Sequence, residues 1–208
     1  MRKTKEEAEK TNELILKAAI KVISEKGYSS TRMEDIAKQA EVTRGAIYHY
    51  YKNKNAILYD IHSKNKNRIN VLMQKLENSK NDPIQIMKDS FVELFERFEN
   101  DEEFRTIEEV FLKIEFAAIM KEDEELRERF QNDMCENQSR LQKIIKIGQE
   151  KGSIRNDIDP KNLALTIMSF YIGITTLWFI NIIDFSIKEK ASDYVDVLFN
   201  GIKNNYKL

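Results

Sequence analysis

Apolar residues recur every three or four positions along most of the chain, which is the period of an amphipathic α-helix. Breaks in this pattern, among them Gly27, Pro83 and Gly152, divide the chain into nine predicted helices. Their approximate limits are 6–26, 31–40, 44–51, 54–80, 83–99, 102–120, 121–151, 160–183 and 188–204. A basic arm, residues 1–5, precedes them. No strand or internal repeat is predicted, so the expected fold class is all-α.

The composition supports this prediction and narrows the chemistry. The 208 residues include only 6 Gly and 2 Pro, and the chain is long enough for one large or two small domains. The single cysteine, Cys135, excludes an intramolecular disulfide, and two histidines are too few for a metal centre. No signal sequence is visible in residues 1–13. We expect no cofactor or metal, and a cytoplasmic protein.

The segment from Thr31 to Lys54 has the pattern of two short helices joined by a tight turn. Thr31 and Glu34 have the spacing of a capping box, which would start the first helix. The apolar pattern breaks at Glu41, and Thr43 is placed to cap the second helix. This layout is that of a helix-turn-helix, whose second helix can enter the major groove of DNA.

The outward side of the second helix carries side chains that suit DNA. Arginine can bind the O6 and N7 atoms of guanine, and tyrosine or histidine can reach phosphate oxygens. Gly45 would let the helix approach a phosphate backbone closely. The predicted DNA contacts are Thr31, Arg32, Thr43, Arg44, Gly45, Tyr48, His49, Tyr50 and Lys54. The alternative is a solvated face on an ordinary helical bundle.

The sequence VTRGAIYHYYKNKNAIL, at positions 42–58, resembles the DNA-binding domain of the TetR family of bacterial transcriptional repressors. The resemblance covers about the first seventy residues. It implies a DNA-binding domain over 1–53 and a ligand-binding and dimerisation domain over 54–208. Glu41 departs from the glycine that is common in the family at this turn. A left-handed backbone there costs on the order of 1 kcal/mol, so we expect the turn to survive.

The charge distribution agrees with this division. Residues 1–68 contain 15 Lys or Arg against 9 Asp or Glu, whereas residues 69–208 contain 19 against 26. A basic N-terminal part on an acidic body is typical of a phosphate-contacting domain attached to a different module.

The segment 163–183 contains no charged residue and is long enough to span a bilayer. Polar and small residues interrupt it, and flanking basic clusters are lacking. Thr166, Ser169, Gly173 and Thr176 form a stripe along which another helix can pack. We therefore favour a helix buried against a partner subunit over a membrane anchor.

The segments 107–120 and 173–195 resemble the C-terminal domain of AcrR-like repressors of multidrug efflux genes. This resemblance implies a homodimer through the last two helices, with a ligand cavity in each chain. A symmetric dimer could present two reading helices to major grooves about 34 Å apart.

Aromatic residues of the C-terminal part could line the cavity, although an ordinary core would explain them equally. Among the candidates, Glu108 would favour cationic or hydrogen-bonding ligands. Lys64, Lys66 and Arg68 argue against a preference for cations. The predicted ligand-binding residues are Phe91, Phe95, Glu108, Phe111, Leu112, Met120, Phe170, Ile174 and Trp178.

These features predict a ligand-responsive repressor that binds a palindromic operator as a homodimer. A small apolar or amphipathic effector would release it, and an efflux gene is the expected target. The first alternative function is that of an enzyme. The sequence shows no catalytic triad, no phosphate-binding loop and no metal-ligand cluster. The remaining catalytic candidate is a carboxylate pair such as Glu108 and Glu115. The second alternative is a ligand-binding or membrane-tethering module whose N-terminal helices bind protein.

Overall fold

A computed structural model describes residues 5–78, 81–181 and 184–204, without the side chains of residues 72, 75–78 and 117. Within this part of the chain there are ten helices and no named strand. The helices are α1 Lys5–Lys26, α2 Met33–Gln39, α3 Arg44–Tyr50, α4 Lys54–Asn78, α5 Pro83–Asn100, α6 Glu102–Lys113, α7 Phe116–Glu122, α8 Glu124–Glu150, α9 Pro160–Ile180 and α10 Ile187–Ile202. The all-α prediction is confirmed. Residues 1–4 of the predicted basic arm, and the predicted helix limits at 80 and 183, lie outside the described residues.

The predicted helix 102–120 is wrong, because the chain breaks into α6 and α7 at Ile114 and Glu115. The Phe116 N–H donates to the Ile114 carbonyl at 2.8 Å, which turns the chain sharply. In a continuous helix, residues five apart point about 140° away from each other. The turn instead brings the rings of Phe111 and Phe116 to 5.7 Å, while Ile114 remains buried. The described chain therefore has ten helices rather than nine.

The helices separate into two compact units. The first contains the described residues of Met1–Asn67 together with Thr106–Glu128. In it, α1 packs on α2 and α2 packs on α3. Its core includes Ile15, Ile36, Ile47 and Ile57, all fully buried. Leu14 of α1 is 55% exposed, although the neighbouring Ile15 is fully buried.

The second unit contains Arg68–Arg105 and the described residues of Arg129–Leu208. Its helices begin with side-chain caps: Asp82 before α5, Asp159 before α9 and Ser186 before α10. Helix α5 packs along α10, and the core is rich in phenylalanine. The fully buried phenylalanines of this unit are Phe95, Phe98, Phe104 and Phe199.

Helix α9 is long and apolar enough to cross a membrane by length and composition. Only 22% of its apolar window is buried inside the chain. Its exposed residues include Leu165, Ile172, Leu177 and Ile180. An exposed apolar face of this extent is typical of a surface that contacts another protein or a membrane.

Candidate nucleic-acid interface

Helix α2 of the helix-turn-helix begins differently from the prediction. Arg32 precedes α2, and its backbone N–H donates to Asp35 Oδ2 at 3.0 Å. Thr31 is buried, and its hydroxyl donates to the Gly27 carbonyl at 2.8 Å. The predicted capping box of Thr31 and Glu34 is therefore wrong. The Thr31 hydroxyl is hydrogen-bonded to Gly27, just after α1, and does not cap α2. Of the two residues predicted here as DNA contacts, Thr31 holds the preceding loop and Arg32 is exposed.

The turn between α2 and α3 has the predicted left-handed residue. Glu41 has φ 55°, and the following Val42 N–H donates to the Ala37 carbonyl at 3.0 Å. This hydrogen bond satisfies a carbonyl group in the last turn of α2. The expectation that the turn survives without glycine is confirmed.

Helix α3 is fixed at both ends. The Thr43 hydroxyl accepts a hydrogen bond from the Ala46 N–H at 3.1 Å, which confirms Thr43 as the N-cap. At the other end, the Tyr51 hydroxyl lies 2.6 Å from Asn12 Oδ1 and 3.0 Å from Asp60 Oδ2. Burial, and next the negative charge of Asp60, raise the pKa of Tyr51, so its hydroxyl stays protonated as a donor. Sequence reasoning missed Tyr51 because its supporting partners are distant in sequence.

The outward face of α3 is exposed and presents Arg44, Tyr48 and His49. Arg44 Nε lies 3.2 Å from Glu34 Oε1 of α2, and the guanidinium lies 5.8 Å from the centre of the Tyr48 ring. The His49 ring meets Tyr50 edge-on at 5.5 Å. An exposed ion pair of this kind contributes at most about 1 kcal/mol, so Arg44 can exchange Glu34 for another partner.

Gly45 lies on the same helix, one residue after Arg44. A Cβ placed at Gly45 would meet no atom of the chain within 4 Å. Packing within the chain therefore does not require glycine at this position. A requirement for glycine would come from something outside the chain, such as a phosphate backbone.

The side chain of Lys54 folds back onto the loop between α1 and α2. Its ammonium donates to the carbonyls of Tyr28 and Thr31, the latter at 2.9 Å, and lies 4.2 Å from the centre of the Tyr28 ring. Burial lowers the pKa of Lys54. This position supports the loop before α2, a role that the sequence does not suggest.

Five of the predicted ligand-binding residues lie in the second unit: Phe91, Phe95, Phe170, Ile174 and Trp178. All belong to the hydrophobic core or pack against it. Phe95 lies 6.4 Å from Phe91 and 6.3 Å from Phe170 between ring centres. Tyr171, which the prediction omits, stacks on Phe95 at 5.8 Å.

The other four predicted ligand-binding residues, Glu108, Phe111, Leu112 and Met120, lie in the first unit. The carboxylate of Glu108 accepts a hydrogen bond from Asn65 Nδ2 at 2.8 Å. Burial raises the pKa of Glu108, and the hydrogen bond lowers it by less. Leu112, four residues along α6 from Glu108, is 38% exposed.

A cavity of about 100 Å³ lies in the first unit, between the end of α1 and α6. Its buried walls include Ile23, Tyr28, Val110 and Ile114. None of the predicted ligand-binding residues lines it.

Comparison with known families covers both parts of the chain. Residues 15–61 match the family described as bacterial regulatory proteins of the tetR family. Residues 82–203 match the C-terminal region of MAATS-type transcriptional repressors.

Individual relatives span nearly the whole chain. The transcriptional regulator AcrR of Shigella flexneri is 30% identical over 200 residues, covering 95% of this chain and 91% of AcrR. NalD, the secondary repressor of the MexAB-OprM multidrug efflux pump in Pseudomonas aeruginosa, has a TM-score of 0.83 at 23% identity, covering 97% of this chain and 100% of NalD. SmeT of Stenotrophomonas maltophilia, in complex with triclosan, has a TM-score of 0.80 at 24% identity, covering 95% and 94%.

The capped reading helix, the left-handed turn and these matches agree on one assignment. The chain belongs to the TetR family of bacterial transcriptional regulators, with an N-terminal helix-turn-helix and a C-terminal region of the MAATS repressor type.

Proposed function

We propose that this protein represses transcription as a homodimer on a palindromic operator and leaves the DNA when a small apolar or amphipathic effector binds. The outward face of α3 is the observation that supports this most. Arg44, Tyr48 and His49 are exposed there, on a helix that Thr43 and Tyr51 anchor. As a DNA-binding regulator, the protein would act in the cytoplasm.

Arg44 is the residue proposed to read a base. Its exposed ion pair with Glu34 is weak enough to be replaced by the O6 and N7 atoms of guanine. Tyr48, His49 and Tyr50 would contact phosphates on either side of the groove, and Gly45 would allow the backbone to approach. Selection of binding sites from randomised duplexes tests this proposal, and failure to enrich any sequence would contradict it.

The exposed face of α9 supports dimerisation through α9 and α10. Leu165, Ile172 and Ile180 recur at spacings of seven and eight residues, and Val197 of α10 is 76% exposed. A second copy of the chain could cover this uncharged face isologously. One reading helix contacts too few bases to select a site in a genome, so pairing also serves recognition.

The variant Ile172→Glu tests this interface, because it places a charge on the proposed contact face. We expect sedimentation velocity to show monomers and operator binding to fall sharply. Ile147→Glu is the matched control, since Ile147 is 43% exposed on α8. Equal behaviour of the two variants would contradict the assignment, and a chain soluble only in detergent would favour a membrane role for α9.

The proposed effector is a small apolar molecule, and the proposed target is an efflux gene. The support comes from NalD, described as an efflux-pump repressor, and from SmeT, described in complex with triclosan. In the second unit, Phe91, Phe95 and Phe170 are the apolar residues proposed to contact such a molecule.

Triclosan is therefore a suitable first probe. We expect it to release the protein from a selected operator at concentrations that leave the protein folded. If triclosan and a panel of other apolar biocides all leave the complex intact, the proposed effector class is wrong.

A further inference from the structure

The first unit extends beyond the helix-turn-helix. Besides α1–α3 and the beginning of α4, it includes the end of α6, α7 and the beginning of α8. The junction between α7 and α8 is formed by Asp123, whose backbone N–H donates to the Ile119 carbonyl at 3.1 Å. Residues 106–128, which the sequence places in the C-terminal domain, therefore lie in the same compact unit as the helix-turn-helix.

Asp123 uses both of its carboxylate oxygens. Its Oδ1 accepts a hydrogen bond from the Leu126 N–H at 2.9 Å, which caps the first turn of α8. Its Oδ2 accepts a hydrogen bond from Asn55 Nδ2 at the start of α4. An aspartate can satisfy both donors at separate oxygens, whereas an asparagine has one acceptor oxygen and one donor group.

Asn55 is bonded at both ends of its side-chain amide. Its Nδ2 donates to Asp123, and its Oδ1 accepts a hydrogen bond from the Tyr28 hydroxyl. Burial, and next the charge of Asp123, raise the pKa of Tyr28, so the hydroxyl remains a donor. Asn55 therefore joins the α7–α8 junction to the loop between α1 and α2.

The same loop is also bound to α4 through Lys54, whose ammonium donates to the carbonyls of Tyr28 and Thr31. Residues 28–31 precede the helix-turn-helix, and Lys54 and Asn55 follow it. These bonds hold together the two chain ends of the reading segment. A change in the position of Asp123 would act on both ends at once.

We propose that Asp123 is a positioning residue for DNA reading, which acts through Asn55 and Tyr28 to fix both ends of the helix-turn-helix. Asp123 itself lies on the α7–α8 junction and not on the proposed DNA-contacting face. Its role is to hold α3 at the angle that fits the operator. This inference rests on the proposed function.

The simpler alternative is that Asp123 only caps α8 and stabilises the fold. In that case its loss would lower the melting temperature, yet folded protein would still prefer the operator over other DNA to the same degree. The ratio of operator affinity to non-specific affinity therefore separates the two roles.

Two single substitutions and their combination provide the test. Asp123→Asn removes one of the two acceptors, and Asn55→Asp sets a second carboxylate against Asp123. Combining them reverses the direction of the hydrogen bond between positions 55 and 123 and leaves acceptors for Tyr28 and for the Leu126 N–H. It also restores the original net charge. Glu122→Gln is the control, because it removes an exposed charge one residue from Asp123.

Affinities for a selected operator and for an unrelated duplex would be measured by fluorescence anisotropy on protein shown to be folded. We expect each single variant to lose about three- to tenfold in operator affinity relative to the unrelated duplex, which lies within the usual range for such coupling. The affinity ratio of the double variant should return to within about twofold of that of the original chain. The affinity ratio of Glu122→Gln should equal that of the original chain.

The proposal is overturned if the single variants keep the original affinity ratio, or if the double variant is as impaired as the single variants together. A different result bears on the proposed function itself. If the unsubstituted chain binds no duplex in a salt-dependent manner, the DNA-binding role fails before Asp123 is tested.

Discussion

Replacing Gly45 with alanine is expected to change stability and DNA affinity in opposite directions. Gly45 is the second residue of α3, and an added Cβ would meet no atom of the chain within 4 Å. Alanine loses less backbone entropy than glycine on entering a helix, by about 0.5–1 kcal/mol. We therefore expect the free energy of unfolding to rise by up to about 1 kcal/mol.

The same methyl group would project from the helix that is proposed to meet the phosphate backbone. Forcing an extra carbon into a closely packed contact costs about 1–3 kcal/mol. Since 1.4 kcal/mol corresponds to a tenfold change in affinity, operator binding should weaken by about 5- to 150-fold.

Urea unfolding and fluorescence anisotropy measure the two effects on the same preparation. Gly201→Ala serves as the matched control, because Gly201 also lies in a helix with no atom within 4 Å of an added Cβ. It should gain stability and keep operator affinity, provided that size-exclusion chromatography shows an unchanged dimer. Unchanged operator affinity of Gly45→Ala would refute a close approach of α3 to DNA.

Three further substitutions test other parts of the interface and the interior. Thr43→Ala should lower the free energy of unfolding by about 1 kcal/mol in urea titrations, because α3 loses its N-cap. Arg44→Ala should relax sequence preference at one base pair per half-site, worth about 1–3 kcal/mol, in repeated site selection. Burial raises the pKa of Glu108, so the folded chain binds its proton more tightly than the unfolded chain does. Stability from this group is therefore lost as pH rises from its usual value of 4.5 through the raised pKa, and Glu108→Gln should flatten that dependence in urea titrations at several pH values. Parallel pH curves for Glu108→Gln and the original chain would contradict that explanation.

The sequence predicted those features that depend on neighbouring residues. The N-cap at Thr43 and the left-handed turn at Glu41 both follow from a short local pattern, and the structure has both. Likewise, Gly27 marks the C-terminal end of α1, and Pro83 and Pro160 mark the starts of α5 and α9.

Features that depend on distant residues were not predictable in this way. The break between α6 and α7 carries no Gly or Pro, and it brings Phe111 into contact with Phe116. Similarly, the ring of Tyr28 and the carbonyls that receive Lys54 lie more than twenty residues before it.

The domain boundary at residue 54 stays a prediction, and the composition of the first compact unit is a related case. The start of α4 and the segment Thr106–Glu128 cluster with the reading helices, and bonds such as Asn55 to Asp123 span 68 residues. Apolar periodicity shows that a helix has a buried face, but it does not identify the helix that covers this face.

The central claim is that a symmetric pair of chains places α3 in the major groove of a duplex. The most direct test is an anisotropy titration of a selected palindromic operator over a series of salt concentrations. We predict two chains per duplex and an affinity that falls linearly with salt on logarithmic axes, with a slope of about −0.9 per phosphate contacted. A folded dimer whose binding to the duplex is absent, or independent of salt, would contradict the account.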